Sequence, residues 1–136
     1  MKTKVIFNDT IPFSGFIAMT VWPFIFVRNK AASRYNVVAN NHEHIHAEQQ
    51  KELLVVGAAL ALIAYAFGLG WWALLFLPLF LWLYLIEWLI KIPIEGSSRK
   101  AYRSISFERE AYQNEKDLTY IAKRKHFIWL KYIFNN

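Results

Sequence analysis

Between Leu53 and Ile90 the chain is almost continuously apolar, and apolar and polar positions hardly alternate within it. Such a stretch has no wet face, so protein or lipid must surround it on every side. A chain of 136 residues holds one ordinary domain and supplies little protein for that purpose. Hydrophobic residues reach 56% and aromatic residues 18%, against 19% charged, an excess over a soluble domain that sits mainly in this stretch. The sequence therefore predicts two membrane helices joined by a turn.

From His42 through Ala66 there is no proline, and Asn40 or Asn41 can cap the start of a helix. Its first turns are polar (HEHIHAEQQKE) and its remainder (LLVVGAALALIAYAFG) is apolar all round, which predicts one helix over 41–67 running from water into lipid. Gly68 to Gly70 form the turn. Trp71 to Ile92 return across the bilayer, kinked at Pro78, with Trp71, Trp72 and Trp88 at the interfaces and Glu87 paired to Lys91 one turn on. Lys and Arg flank the pair, and the turn carries none. Both termini and the site are thus expected on the cytoplasmic side of the membrane.

Residues 1–40 are rich in Val, Ile, Phe and Thr and broken by Pro12, Gly15 and Pro23, which favours short strands. Strands are expected at 16–20 and 24–28, with a third around 36–39 after a polar turn at 29–34. One membrane span over 11–27 is the competing reading. Lys2 and Lys4 precede an apolar stretch as in a signal peptide, but Asp9, Pro12 and Pro23 interrupt it. After Gly96 the chain turns polar, and Ser104 or Ser106 can open a helix over 104–122. Residues 126–134 mix aromatics with lysine and suit either a headgroup-level segment or a helix packed on protein. The expected fold is an α+β membrane protein forming a single domain over 1–136.

Cysteine is absent, so a metal site would have to use histidine and carboxylate. The net charge of +6 flanks the apolar segment, which points to a lipid bilayer as partner rather than to nucleic acid.

His42, Glu43, His44, Ile45 and His46 spell H-E-x-x-H. On a helix, positions i and i+4 share a face one turn apart, so His42 and His46 can bind one Zn2+ while Glu43 projects beside it as general base. Catalytic zinc keeps three protein ligands and one open position, so a third ligand is required downstream. Glu108, Glu110 and Glu115 are the candidates. His44 lies off the ligand face. Gln49 and Gln50 either bond a ligand or substrate or form a solvated face.

With Glu108, Arg109, Glu110, Ala111 and Tyr112 downstream, the chain resembles the gluzincin metallopeptidases, particularly the membrane-embedded HtpX heat-shock protease and type I CAAX prenyl protease. Those pair H-E-x-x-H with E-x-x-A-D. The resemblance implies Glu108 as third zinc ligand, and Tyr112 stands where those families carry aspartate. It also extends to small bacterial membrane proteins sharing N-H-E-x-I-H and F-E-R-E-A-Y, which implies a place in a bacterial inner membrane. Tyr112 lies on the helix face of Glu108 and is either an oxyanion donor or a packed tyrosine.

These residues imply a zinc peptidase acting on peptide or membrane-protein substrates at the cytoplasmic membrane surface. The metal is expected about 10 Å above the apolar boundary at Leu53, with residues 24–28 as an edge strand for extended peptide. Two alternatives are a zinc hydrolase of lipid-linked amides or esters and a non-catalytic membrane scaffold with a relic motif. The scaffold reading places Glu108 far from His42 and His46.

Overall fold

A computed structural model describes residues 2–134, so Met1, Asn135 and Asn136 at the ends of the expected 1–136 domain lie outside the described residues. Three strands, β1 (Lys4–Asn8), β2 (Ala18–Val21) and β3 (Phe24–Arg28), form one sheet in the order β1-β3-β2, with β1 parallel and β2 antiparallel to β3. Alternation along β3 buries Ile25 and Val27 completely. The strand expected at 24–28 is β3, and the one expected at 16–20 begins two residues later. The third strand is β1 rather than 36–39. Asn36 instead caps a helix, its side chain accepting from the Ala39 N–H at 3.0 Å, so the following residues are already helical. The strands also replace the alternative span over 11–27.

That helix, α1 (Val37–Ala66), begins ahead of the motif and follows a 3-10 turn at Asn29–Arg34. The stretch 71–92 does not form one helix. A 3-10 segment (Gly70–Phe76) meets α2 (Leu79–Glu95) at a bend of 62°. Gly57 permits the 3-10 segment to lie against α1, since a Cβ there would stand 2.3 Å from the carbonyl oxygen of Phe76.

The expected transmembrane hairpin is not found. Among the described residues no single helix is long and apolar enough to cross a membrane, and only the bent pair passes by length and composition together. The physical reason is length of apolar run. The apolar part of α1, Leu53 to Ala66, covers roughly 21 Å at 1.5 Å per residue against a hydrocarbon core of about 30 Å. α2 reaches roughly 25 Å and carries Glu87, Lys91 and Glu95. The expected inner-membrane location, with cytoplasmic termini and site, rested on those two spans and falls with them. The fold is α+β, with a three-stranded sheet and no membrane-spanning helix among the described residues.

A helix not expected, α3 (Ser98–Ser104), precedes the region, and the expected helix over 104–122 is divided into α4 (Ser106–Asn114) and α5 (Tyr120–Lys123). Glu87 explains the start of α4. Its carboxylate accepts from the Ser106 N–H at 2.8 Å and from the Ser106 hydroxyl at 2.6 Å, while also pairing with Lys91 at 2.8 Å. An acid at a helix N-terminus satisfies free backbone donors and meets the positive end of the helix dipole. Residues 126–134 form a 3-10 turn (Ile128–Leu130) and α6 (Lys131–Phe134), packed on protein. Trp129 joins Leu53, Ile105 and Phe107 in the main core, and Phe80, Leu83, Tyr84 and Trp88 of α2 close over it. Thus α1, α2 and α4 meet around one core, immediately below the motif turn of α1.

Candidate metal centre

The motif turn of α1 places His42 and His46 on one face, with their Nε2 atoms 3.1 Å apart. Glu108, in the first turn of α4, reaches both rings. Its Oε2 lies 3.3 Å from His42 Nε2 and its Oε1 3.3 Å from His46 Nε2. All three side chains are buried, and together they can hold a metal ion. Glu108 Oε2 makes no hydrogen bond, so a buried carboxylate oxygen is left facing the two imidazoles. The separation required by the relic-scaffold reading is absent.

The other two candidates for third ligand serve different partners. Glu110 is fully buried and turns away, accepting from Gln49, Tyr120 and Arg124. Glu115 lies 2.8 Å from Nδ1 of His42, on the side of the ring opposite the metal-facing nitrogen. Carboxylates in that position commonly orient a metal-binding imidazole.

Burial opposes a charge on His46, but the adjacent Glu108 carboxylate overrides it and pushes the pKa up to about 9. Burial likewise opposes charge on Glu108, yet the two histidines hold its carboxyl well below the usual range. Tyr84, from α2, donates to Glu108 Oε1 at 2.8 Å. Burial first, then Glu108, push the Tyr84 and Tyr102 hydroxyls far above the ordinary phenol value, so both remain donors.

Glu43 is buried beside the pair without joining it, and its Oε2 accepts from the Thr20 hydroxyl of β2 at 2.6 Å. Gln50 is also committed to β2. Its amide donates to the Thr20 carbonyl at 2.7 Å and accepts from the Trp22 N–H at 2.8 Å. Gln49 is committed to the centre itself, 2.8 Å from Nδ1 of His46. Tyr112 packs its ring edge-on against His42, centroids 4.7 Å apart, with the Arg103 guanidinium 5.4 Å from the ring centroid. His44 bonds the Asn40 carbonyl at 2.7 Å, away from the centre as expected.

A cleft of about 650 Å3 opens onto Glu43, His46 and Glu108 between β2 and α2. Its walls include Phe16, Met19, Val21, Leu81 and Trp88, with the Tyr84 and Tyr102 side chains at the metal end. Sequence reasoning missed Thr20, Tyr84, Tyr102 and the orienting role of Glu115. Glu115 carried a signal, since it follows Glu108 by two helical turns on one face. Tyr84 carried none, being one aromatic among many in an apolar run.

No family model matches the chain, and neither a curated protein nor a solved structure similar to it is found. The gluzincin resemblance thus stands on the motif residues alone.

Proposed function

We propose that the protein is a zinc-dependent hydrolase of peptide bonds, with His42, His46 and Glu108 as metal ligands and Glu43 as general base. The observation that carries this reading is the convergence of the two Nε2 atoms, 3.1 Å apart, on one buried carboxylate, with Glu108 Oε2 3.3 Å from His42 Nε2 and Oε1 3.3 Å from His46 Nε2. Zinc bonds of about 2.0 to 2.1 Å at tetrahedral angles place ligand atoms roughly 3.3 Å apart, so the three side chains fit the ion with little movement. Zinc supplies Lewis acidity at such a site and lowers the pKa of water to about 7.

The chain's own residues supply the remainder. Glu43 opens onto the cleft and can take a proton from water and return it to the leaving amine, and the Thr20 hydroxyl holds its Oε2 in place. Glu115 and Gln49 fix the outer nitrogens of the two imidazoles. Tyr84 spends its one proton on Glu108 Oε1, while Tyr102 remains protonated on the cleft wall and offers a donor to charge developing on a carbonyl oxygen. Tyr112 remains a further proposed donor beside His42.

A peptide is favoured by the sheet edge. β3 is paired on both sides, so it cannot be the receiving strand expected at 24–28, and β2 is the edge beside the cleft. In an antiparallel pair alternate residues turn their backbone groups outward. The Arg28 N–H bonds the Ile17 carbonyl at 3.2 Å, which turns the peptide groups of Ala18 and Thr20 away from β3. Gln50 covers the Thr20 carbonyl and Trp22 N–H, leaving Ala18 and the Thr20 N–H for an extended chain. The apolar cleft walls also suit an acyl chain, so lipid-linked amides and esters are the second reading.

The test is metal content and turnover together. Purified protein should hold one zinc per chain, and Glu43→Gln should retain it while losing at least about a hundredfold in peptide hydrolysis. Wild-type protein without stoichiometric zinc, or an active Glu43→Gln variant, refutes the proposal. Faster cleavage of acyl amides than of peptides would replace it by the second reading.

A further inference from the structure

His46 and His42 are oriented by different devices, and only that of His42 is a direct carboxylate. His46 Nδ1 faces the side-chain carbonyl oxygen of Gln49 at 2.8 Å. A carbonyl can only accept, so this contact requires the proton on Nδ1 and leaves the Nε2 lone pair free toward Glu108 and His42. An amide can turn over, however, and a flipped Gln49 would present its NH2 to Nδ1. The proton would then move to Nε2, where it blocks metal binding.

What prevents the flip lies on the far side of the amide. The Gln49 NH2 donates to the Phe107 carbonyl at 3.1 Å and to Glu110 Oε2 at 3.0 Å. A flipped amide would set its oxygen against two acceptors in a fully buried place. Arg124 fixes the Glu110 carboxylate in that position, Nε to Oε1 2.5 Å and Nη2 to Oε2 3.2 Å. Arg124 is itself buried between Glu110 and Glu52. Burial opposes its charge, and hydrogen bonds to the two acids hold its pKa above the ordinary arginine range.

We propose that Glu110, held in place by Arg124, is a positioning residue for the metal centre, locking the Gln49 amide and through it the Nδ1–H tautomer of His46. The proposal rests on the reading of His46 as a metal ligand, but its first link is a property of the metal-free protein. It also explains why position 49 is an amide, because a glutamate there would face Glu110 at about 3 Å. The segment 120–127, remote from the motif in sequence, thereby contributes to the site through Arg124.

The experiment compares wild type with Gln49→Leu, Glu110→Gln and the double variant Gln49→Leu/Glu110→Gln. The tautomer of His46 is read from ring nitrogen-15 shifts in metal-free protein, at a pH where the ring is neutral. Zinc affinity is read by competition with a chromophoric chelator. Wild type should be an Nδ1–H tautomer, and each single variant should shift population toward Nε2–H and weaken zinc about 10- to 100-fold. In the double variant Glu110 has no amide left to lock, so its loss should add little to that of Gln49. The double variant should therefore bind zinc more tightly than the two single losses combined allow. A purely packing role for Glu110 would lower thermal stability without moving the tautomer, and that result overturns the proposal. So does a double variant that is merely additive. If the tautomer shifts as expected but wild type binds no zinc, the positioning device stands and the metal reading fails.

Discussion

The carboxylate of Glu115 and Nδ1 of His42 lie 2.8 Å apart, joining the end of α4 to the motif turn of α1. A carboxylate accepting from Nδ1–H directs the lone pair of Nε2 toward the metal position and raises its basicity. Glu115→Gln retains an acceptor and loses the charge, whereas Glu115→Ala loses both. Zinc affinity should fall in that order, by about 10- to 100-fold for the alanine variant. Equal affinities across the series, measured by chelator competition, would remove Glu115 from the centre.

The pH dependence of the metal-free protein follows from His46 and Glu108. The imidazole of His46 is raised to about 9, and Glu108 is depressed below the usual carboxylate range. The raised histidine contributes stability that is fully present below its unfolded value of 6.5 and is lost as pH rises through about 9. The depressed carboxylate contributes above its unfolded value of 4.5 and is lost as pH falls toward its folded value. The pair therefore stabilises most between those two unfolded values. Urea unfolding of chelator-treated protein should show stability declining from pH 7 to 10, with His46→Gln flattening the decline. Zinc needs the proton removed, so its affinity should rise by up to about tenfold per pH unit until near 9. A flat affinity profile from pH 7 to 9 would contradict the assignment.

The site was more legible in the sequence than the architecture around it. His42, Glu43 and His46 are fixed relative to one another by helix periodicity, a local rule that needs no tertiary information. Glu108 required the family pattern, because nothing local says which of Glu108, Glu110 and Glu115 faces α1. The apolar run misled for a physical reason. Val55, Leu62, Trp71 and Trp72 are exposed, so the absence of a polar face did not mean one continuous span. Pro78 and the close approach at Gly57 divide the run into a short 3-10 segment and a bent helix, and chain direction at such a break is a tertiary outcome. Charge did not mark the surface either. Glu52, Glu110 and Arg124 are charged yet buried, because they satisfy one another.

Tyr84 tests how much the apolar helix α2 contributes to the centre. Its hydroxyl donates to Glu108 Oε1 at 2.8 Å, and hydrogen bonds to charged acceptors are worth about 1.5–3 kcal/mol. Tyr84→Phe keeps the ring that packs on Phe80 and Phe107 and removes only the donor. Zinc affinity should drop roughly tenfold, by the usual effect of losing an orienting partner, while the circular dichroism spectrum is unchanged. An unchanged affinity would mean that Glu108 is placed by α4 alone.

Gly57→Ala tests the packing that bends the apolar run. In an exposed helix this substitution is stabilising by about 1 kcal/mol, because alanine loses less backbone freedom on folding. Here the new Cβ would stand 2.3 Å from the Phe76 carbonyl oxygen, and that atom belongs to a backbone that cannot swing aside like a side chain. The Gly70–Phe76 segment must lift from α1 or strain, which for overpacked sites costs about 1–3 kcal/mol. The sign of the change therefore decides the matter: urea and thermal unfolding should show a loss, and a gain would mean that the segment does not lie on α1 at Gly57. His42 is 15 residues away along α1, roughly 22 Å at 1.5 Å per residue, so zinc affinity of the folded variant should stay within a few-fold of wild type. A large loss of affinity with stability intact would instead tie the 3-10 segment to the metal centre through α2.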